Sequence, residues 1–141
     1  MPSVKMLINW QGKFNFSAKN ENGLNVHFDA PSDFGGDGAA LTPMENVLAS
    51  LVVCSGIHII DFLNKRRHKL NDFSINAFAD RREEPPRGFT EIKIEYMFKG
   101  EELDENDVKE AIKISEEKYW SVGSMLKETT KIKSAYLINR E

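Results

Sequence analysis

An apolar run at Val47–Ile60, preceded by a helix-start signal, constrains this chain more than any other feature. Thr42 is placed to cap a first turn, Pro43 fits the first helical position, and Glu45 stands at the third, which makes a capping box. The sequence therefore predicts one long helix that starts here and ends near Arg67. Because this helix is apolar nearly all round, we expect it to be buried centrally or in a subunit interface.

The composition indicates one globular domain, residues 1–141, with 40% hydrophobic and 29% charged residues. A net charge of −3 argues against a nucleic-acid partner, because phosphate binding needs a positive field. Polar residues interrupt the apolar stretch 41–63, and the uncharged run that remains is too short to cross a bilayer. The first ten residues lack the apolar core of a signal peptide. We therefore expect a soluble protein that needs no membrane.

Alternating apolar and polar residues predict strands on both sides of the helix. Three short strands precede it, at Val4–Trp10, Lys13–Ala18 and Leu24–Phe28, and form a small antiparallel sheet. After it come a long hairpin (Phe73–Arg81 and Phe89–Phe98), a helix (Asp104–Tyr119), a short helix (Trp120–Lys127, with Ser121 as its cap) and a last strand (Ile132–Ile138). The order βββ-α-ββ-αα-β is that of an α+β domain.

Cys54 is the single cysteine and lies in the middle of the predicted helix. Because one cysteine has no partner within the chain, a disulfide framework is excluded, and the composition fits a reducing cytoplasm. His58 follows on the same helical face and Asp61 comes three residues later, an order that suits a thiol nucleophile with its base and acid. The same spacing also fits a core cysteine beside a hydrogen-bonded interface histidine, and both interpretations stay open. One helix supplies only part of a metal shell, so no metal site and no cofactor are predicted.

Glu45 lies nine residues before Cys54, which puts the two side chains on roughly opposite sides of a straight helix. Direct contact within one chain is therefore not expected, and a capping role for Glu45 is favoured. Contact across a dimer, or after a kink near Ser50, stays open.

Three segments together resemble the OsmC/Ohr family of small stress-related proteins. The first is GGDGAALTPMENVLASLVVC, which runs from Gly35 to Cys54 and resembles the family's glycine-rich loop and cysteine-bearing helix. The second is the predicted hairpin, and the third is SEEKYWSVGSML, from Ser115 to Leu126, which is similar to the family's second-cysteine segment. The resemblance implies an intertwined homodimer with two central helices packed between sheets. It also implies reduction of organic hydroperoxides by a pair of cysteines.

The resemblance assigns a role to four positions. Cys54 takes the place of the attacking cysteine, and Trp120 takes the place of the resolving cysteine. Met44 stands where the family has a glutamate, with Glu45 one step later. Lys13 lies near the place of the family arginine, where it keeps the charge but loses the planar fork.

Two functions follow from these assignments. The first is a cytoplasmic one-cysteine peroxidase, in which Cys54 attacks a hydroperoxide with help from Glu45 and Lys13, and an external thiol resolves the product. The second is a non-catalytic homodimer that binds a small hydrophobic ligand in an apolar pocket at the dimer interface. That pocket would be lined by Met44, His58 and Trp120.

Overall fold

The computed structural model describes residues 2–140, so Met1 and Glu141, the ends of the predicted domain, lie outside the described residues. The chain forms two compact units, one ending at Val47 and the other beginning at Leu48. The single domain 1–141 stays a prediction.

The order of the elements confirms the predicted α+β architecture. The elements are β1 (Leu7–Trp10), β2 (Phe16–Lys19), β3 (Asn25–Phe28), a 3-10 turn (Ser32–Phe34), α1 (Pro43–Lys65), β4 (Asp72–Arg81), β5 (Phe89–Lys99), α2 (Glu105–Glu117), α3 (Ser121–Leu126) and β6 (Lys131–Ile138).

The first unit contains an antiparallel sheet in the order β1-β2-β3. Strand β2 begins at Phe16 rather than at Lys13, which corrects the predicted start. Lys13 lies instead in the β1–β2 turn with a left-handed φ of 48°. The indole N–H of Trp10 donates to the Lys13 carbonyl at 2.8 Å, which holds the turn closed.

The start of α1 confirms the predicted capping box. The Thr42 amide donates to Glu45 Oε1 at 2.9 Å, and the Glu45 amide donates to Thr42 Oγ1 at 3.3 Å. Each bond satisfies an amide that the first helical turn leaves without a partner.

The end of α1 at Lys65 comes two residues before the predicted one, because Arg67 adopts a left-handed φ of 63°. The His68 amide then donates to Leu63 O at 2.9 Å, and the Arg67 amide donates to Asn64 O at 2.9 Å. These two bonds are a Schellman motif, which closes the helix without a glycine.

The second unit contains a three-stranded sheet in the order β4-β5-β6. Strands β4 and β5 form the predicted antiparallel hairpin, with Phe73 opposite Phe98. Strand β6 pairs with β5 in parallel, with Ile132 opposite Ile92. A parallel neighbour requires a crossover, and α2 and α3 supply it.

The core of the second unit combines one face of β5 with one side each of α1 and α2. Alternate residues of β5 are buried because successive strand residues point to opposite faces. The buried apolar core residues of these three elements are Leu51, Val52, Ile59, Leu63, Ile92, Ile94, Tyr96, Phe98, Val108, Ala111 and Ile112.

The short helix α3 begins at Ser121 itself, so the expected cap at Ser121 is wrong. Trp120 holds the cap position and makes no side-chain capping bond there. Its indole N–H is donated elsewhere, to the carbonyl of Leu51 in α1.

Helix α1 is buried on one side only. Leu51, Ile59 and Leu63 are fully buried, whereas Val53 and Ile57 are 53% and 62% exposed. Among residues 2–140, α1 is the one helix that is long and apolar enough to cross a membrane. The core helix of a soluble protein meets the same criterion of length and composition. Burial of its second side, as the sequence predicts, requires a further protein surface.

Candidate functional site

Cys54 lies at the centre of α1 on the border between the buried and the exposed side. The residue is half-buried and packs against the core of the second unit. Its neighbours differ sharply, because Ser55 is fully buried and Val53 is 53% exposed. Cys54 is therefore not sealed in the interior as an ordinary core cysteine would be.

Trp120 is anchored against the turn of α1 that precedes Cys54. The side chain is 6% exposed, and its indole N–H donates to Leu51 O at 2.7 Å. A Cβ added at Gly123 would lie 2.2 Å from Trp120 Cδ2, so the glycine leaves the room that the indole fills. An aromatic side chain thus stands where the family resemblance places the resolving cysteine.

His58 follows Cys54 by one helical turn, which puts the two side chains on the same side of α1. The imidazole stacks on the ring of Tyr119, with ring centroids 5.0 Å apart and an angle of 18° between the planes. Lys118 Nζ lies 5.2 Å from the centroid of the same tyrosine ring. A cation over an aromatic ring is favourable, so the Lys118 contact helps to hold the Tyr119 ring in place against His58.

Asp61 is paired with Lys65, which differs from the expected role as an acid that orients His58. The Asp61 carboxylate accepts from Lys65 Nζ at 2.9 Å. This hydrogen bond raises the pKa of Lys65. The two residues are four apart on an exposed helix face, where such ion pairs form readily.

The carboxylate of Glu45 is used in the capping box at the start of α1, where it accepts from the Thr42 amide. This confirms the capping role. A catalytic role for Glu45 stays a prediction. Met44, in the same turn, is half-buried, and a ligand pocket shared by Met44, His58 and Trp120 also stays a prediction.

Lys13 pairs with Asp37 at 2.8 Å, and both side chains are exposed. The hydrogen bond and the charge of Asp37 raise the pKa of Lys13. The hydrogen bonds from Lys13 and Asn15, together with the charge of Lys13, lower the pKa of Asp37. The cation expected to activate the thiol therefore already has a carboxylate partner.

The glycine-rich loop is organised by Asp29, which sequence reasoning missed. This carboxylate is 2% exposed and accepts from the amides of Ala30, Asp37 and Ala39 at 2.7, 3.1 and 3.0 Å. A Cβ at Gly36 would lie 2.0 Å from Ala30 O, so the loop closes only around a glycine. The available signal was an aspartate just before a glycine-rich segment, since such side chains often bond nearby amides.

Sequence reasoning also missed a polar network that joins four elements next to Cys54, in which Ser55 and Tyr96 are buried, Glu116 is half-buried and Ser134 is exposed. Ser55 Oγ lies 2.8 Å from Tyr96 OH, and Tyr96 OH lies 2.8 Å from Glu116 Oε2. Ser134 Oγ donates to Glu116 Oε1 at 3.1 Å. The one signal was a tyrosine on the inward-facing side of β5, because a buried hydroxyl needs a partner.

Burial sets the electrostatics of this network. It raises the pKa of Tyr96 well above the ordinary tyrosine value. Burial also raises the pKa of Glu116, although hydrogen bonds from Tyr96 and Ser134 act in the opposite direction. Within residues 2–140, no group of three or more histidine, cysteine, aspartate or glutamate residues could hold a metal ion.

Comparisons with known proteins agree on one family. The family model described as OsmC-like protein matches residues 35–135. The protein YhfA of Escherichia coli strain K12 is 33% identical over 129 residues, which cover 92% of this chain and 93% of that protein.

Solved structures are similar over the whole chain. A hypothetical protein from Aquifex aeolicus VF5 is 30% identical, with a TM-score of 0.86 and coverage of 100% of this chain and 99% of that one. An organic hydroperoxide resistance protein OsmC from Legionella pneumophila shares the fold at 18% identity, with a TM-score of 0.68 and coverage of 96% and 97%. Since the family model matches most of the chain and YhfA is similar along nearly its entire length, the protein belongs to the OsmC-like family.

Proposed function

We propose that the protein reduces small hydrophobic organic hydroperoxides, with Cys54 as its single reacting thiol. The Cys54 thiolate attacks the outer peroxide oxygen, the O–O bond breaks, and the departing alkoxide takes up a proton to give an alcohol. Cys54 is oxidised by two electrons to a sulfenic acid. The observation that carries the proposal is the half-buried Cys54 at the centre of α1, in a fold shared with a hydroperoxide resistance protein.

The sulfenic acid is reduced by an external thiol, because the chain has no second cysteine. One external thiol attacks Cys54 Sγ and releases water, which leaves a mixed disulfide. A second external thiol then attacks this disulfide, restores Cys54 and leaves as the oxidised donor. The sum is one hydroperoxide and two thiols giving one alcohol, one disulfide and one water. Such a cycle requires a reducing compartment, so cytoplasmic location is part of this proposal.

His58 is the side chain best placed to influence the Cys54 thiolate. It lies one turn away on the same side of α1, and Tyr119 holds its ring by stacking. Lys13 and Glu45 take part only if they exchange their present partners, Asp37 and Thr42, for the reacting groups.

A homodimer is the second part of the proposal. The unpartnered side of α1 exposes Val53, Ile57 and Ile60, which recur at helical spacing. Burying such a stripe against a second copy removes apolar surface from water, at about 25 cal/mol per Å². Sedimentation that gives a monomer of 16.1 kDa at micromolar concentration contradicts this part.

The test of the reaction is peroxide consumption in the presence of a dithiol, combined with trapping of a sulfenic acid. Wild-type protein treated with cumene hydroperoxide should be labelled by a sulfenic-acid probe, and Cys54→Ser should not. Replacement of His58 by Asn should slow Cys54 alkylation by iodoacetamide at pH 7 about fivefold, the effect of an interaction of about 1 kcal/mol. Absence of both labelling and thiol-dependent peroxide loss contradicts the enzymatic function.

The alternative is a non-catalytic homodimer that binds a small hydrophobic ligand. The observation that favours it is Trp120, a buried aromatic at the place of the resolving thiol. In that case cumene hydroperoxide and its product alcohol should bind equally well, with quenching of tryptophan fluorescence, and Cys54→Ser should bind as wild type does.

A further inference from the structure

Strand β6 is an edge of the second sheet. It pairs with β5 on one side, and no strand within residues 2–140 pairs with its other side. An edge strand presents unpaired backbone N–H and C=O groups, which can bind the backbone of another chain. Lys131 and Lys133 make the first half of β6 charged, which is a usual protection against such binding. Residues 134–138 have no charged side chain, so this half of the edge is open.

A groove runs between the open half of β6 and helix α2. Two cavities of about 420 and 270 Å³ form it, and Tyr136 lines both. The hydroxyl of Tyr136 donates to Glu105 Oε1 at 2.8 Å, which joins the strand to the first turn of α2. We name these two cavities the β6 groove. The side chains of α2 that line it are Glu105, Lys109, Ile112, Lys113 and Glu117.

The charges in the β6 groove favour an acidic occupant. Lys109 and Lys113 are exposed, and neither forms an ion pair with any residue in the range 2–140. Arg140 adds a further cation in the first cavity. Of the two carboxylates, Glu105 is already bonded to a hydroxyl, and Glu117 lies at the far end. Positive charge therefore exceeds negative charge where an occupant would lie.

We propose that the β6 groove binds an extended acidic segment of another protein, which joins the sheet as a strand beside residues 134–138. Its backbone pairs with the edge of β6, and alternate side chains point toward α2. Lys109 and Lys113 are about 6 Å apart along the helix. Alternate residues of a strand are about 6.7 Å apart, so two acidic side chains on one face of the segment can meet both lysines.

The opposite face of the added strand fits apolar side chains. Ala135 and Leu137 occupy that face of β6, because successive strand residues point to opposite sides. A segment in which acidic and apolar residues alternate therefore matches both faces. A second copy of β6 matches less well, since it brings Lys131 and Lys133 and no acidic residue. The proposal does not depend on the peroxidase activity.

The experiment measures fluorescence anisotropy of a fluorescein-labelled octapeptide in which glutamate and valine alternate. It should bind the full-length protein saturably at about 0.15 M salt, and a peptide with lysine in place of glutamate should not. Lys109→Glu/Lys113→Glu should weaken binding about tenfold or more, because two favourable charge pairs become repulsive.

Lys93→Glu/Lys133→Glu is the matched control. It changes the net charge by the same amount, but both side chains lie on the face of the sheet away from α2. Its affinity should stay within about twofold of wild type, since exposed charges at a distance are screened. Circular dichroism checks that both double variants fold. Equal losses in the two variants, or no binding at about 1 mM peptide, overturn the proposal.

Pairing with the backbone is tested by two peptides that carry N-methyl groups, one at its glutamates and one at its valines. Alternate N–H groups of a strand point to opposite edges, so one set faces β6 and the other faces solvent. One methylated peptide should bind as the unmodified peptide does, and the other should lose at least about tenfold in affinity. Equal binding by both contradicts strand addition. Self-association of the protein that excludes the peptide assigns the edge to a second copy and also overturns the proposal.

Discussion

Trp120 and Leu51, separated by 69 positions in the sequence, are joined by a 2.7 Å hydrogen bond from the indole N–H to the backbone carbonyl. Leu51 precedes Cys54 by three residues, so this bond fixes an aromatic ring beside the turn that carries the thiol. Relatives with two cysteines would have a sulfur at this place according to the family resemblance. In this protein the Trp120 side chain instead holds helix α1 by its hydrogen bond to Leu51.

Trp120→Phe should therefore destabilise the fold. The substitution removes the hydrogen bond and leaves a small cavity, for a combined loss of about 2 to 3 kcal/mol in the free energy of unfolding. Urea unfolding followed by circular dichroism measures it. Trp10→Phe is the matched control, since Trp10 also donates its N–H to a carbonyl but is 66% exposed. Equal losses in the two variants would show that the buried bond has no special role.

Gly123→Ala should also destabilise, despite the better helix propensity of alanine. Its new Cβ would lie 2.2 Å from Trp120 Cδ2, and relief of this overlap should cost about 1 to 3 kcal/mol. Thermal unfolding is a suitable measurement. Gly88→Ala is the control, because a Cβ there meets no atom within 4 Å. If Gly123→Ala is as stable as wild type, the indole does not occupy this position.

Lys13→Met should raise the pKa of Asp37 toward the ordinary aspartate value. In the folded protein the lysine holds this pKa below that value. The pairing therefore contributes to stability above the unfolded carboxyl pKa, and the contribution is lost as pH falls through the lowered folded pKa. Carboxyl NMR titration of Asp37 measures the shift, with Lys19→Met as the control. An unchanged Asp37 midpoint in Lys13→Met contradicts the pairing.

Ile57→Asp should convert the proposed dimer into monomers. Ile57 is 62% exposed, so the charge has little effect on the fold of one chain but opposes burial against a second copy. Analytical ultracentrifugation should show the dimer for wild type and for Asn64→Asp, an exposed position on the same helix. If Ile57→Asp sediments as wild type does, this side of α1 is not the interface.

The sequence predicted those parts of the fold that depend on local signals. The Thr42–Glu45 capping box and the hairpin β4–β5 are written in neighbouring residues, and the structure confirms both. The sequence could not predict that β6 runs parallel to β5, because that pairing joins positions forty residues apart, such as Ile92 and Ile132. Only tertiary packing brings these strands together.

The candidate site was less predictable for the same reason. Trp120 came from the family resemblance, and Cys54 came from the resemblance together with its helical spacing to His58. The Tyr96–Glu116 contact appears only once distant elements meet. Asp29 was missed although its bonds lie within one loop. Lys13, which the resemblance assigns to the thiol, is paired with Asp37, and its catalytic role stays a prediction. Asp61, expected to orient His58, is paired with Lys65.

The parallel docking of β6 has a consequence for how the protein can fail. Until residues 131–138 arrive, β5 presents a long row of unpaired backbone groups flanked by apolar side chains. Such an edge readily recruits a strand from another molecule. A chain that ends shortly after α3 is thus expected to aggregate, and not to remain as a folded but less stable truncated protein.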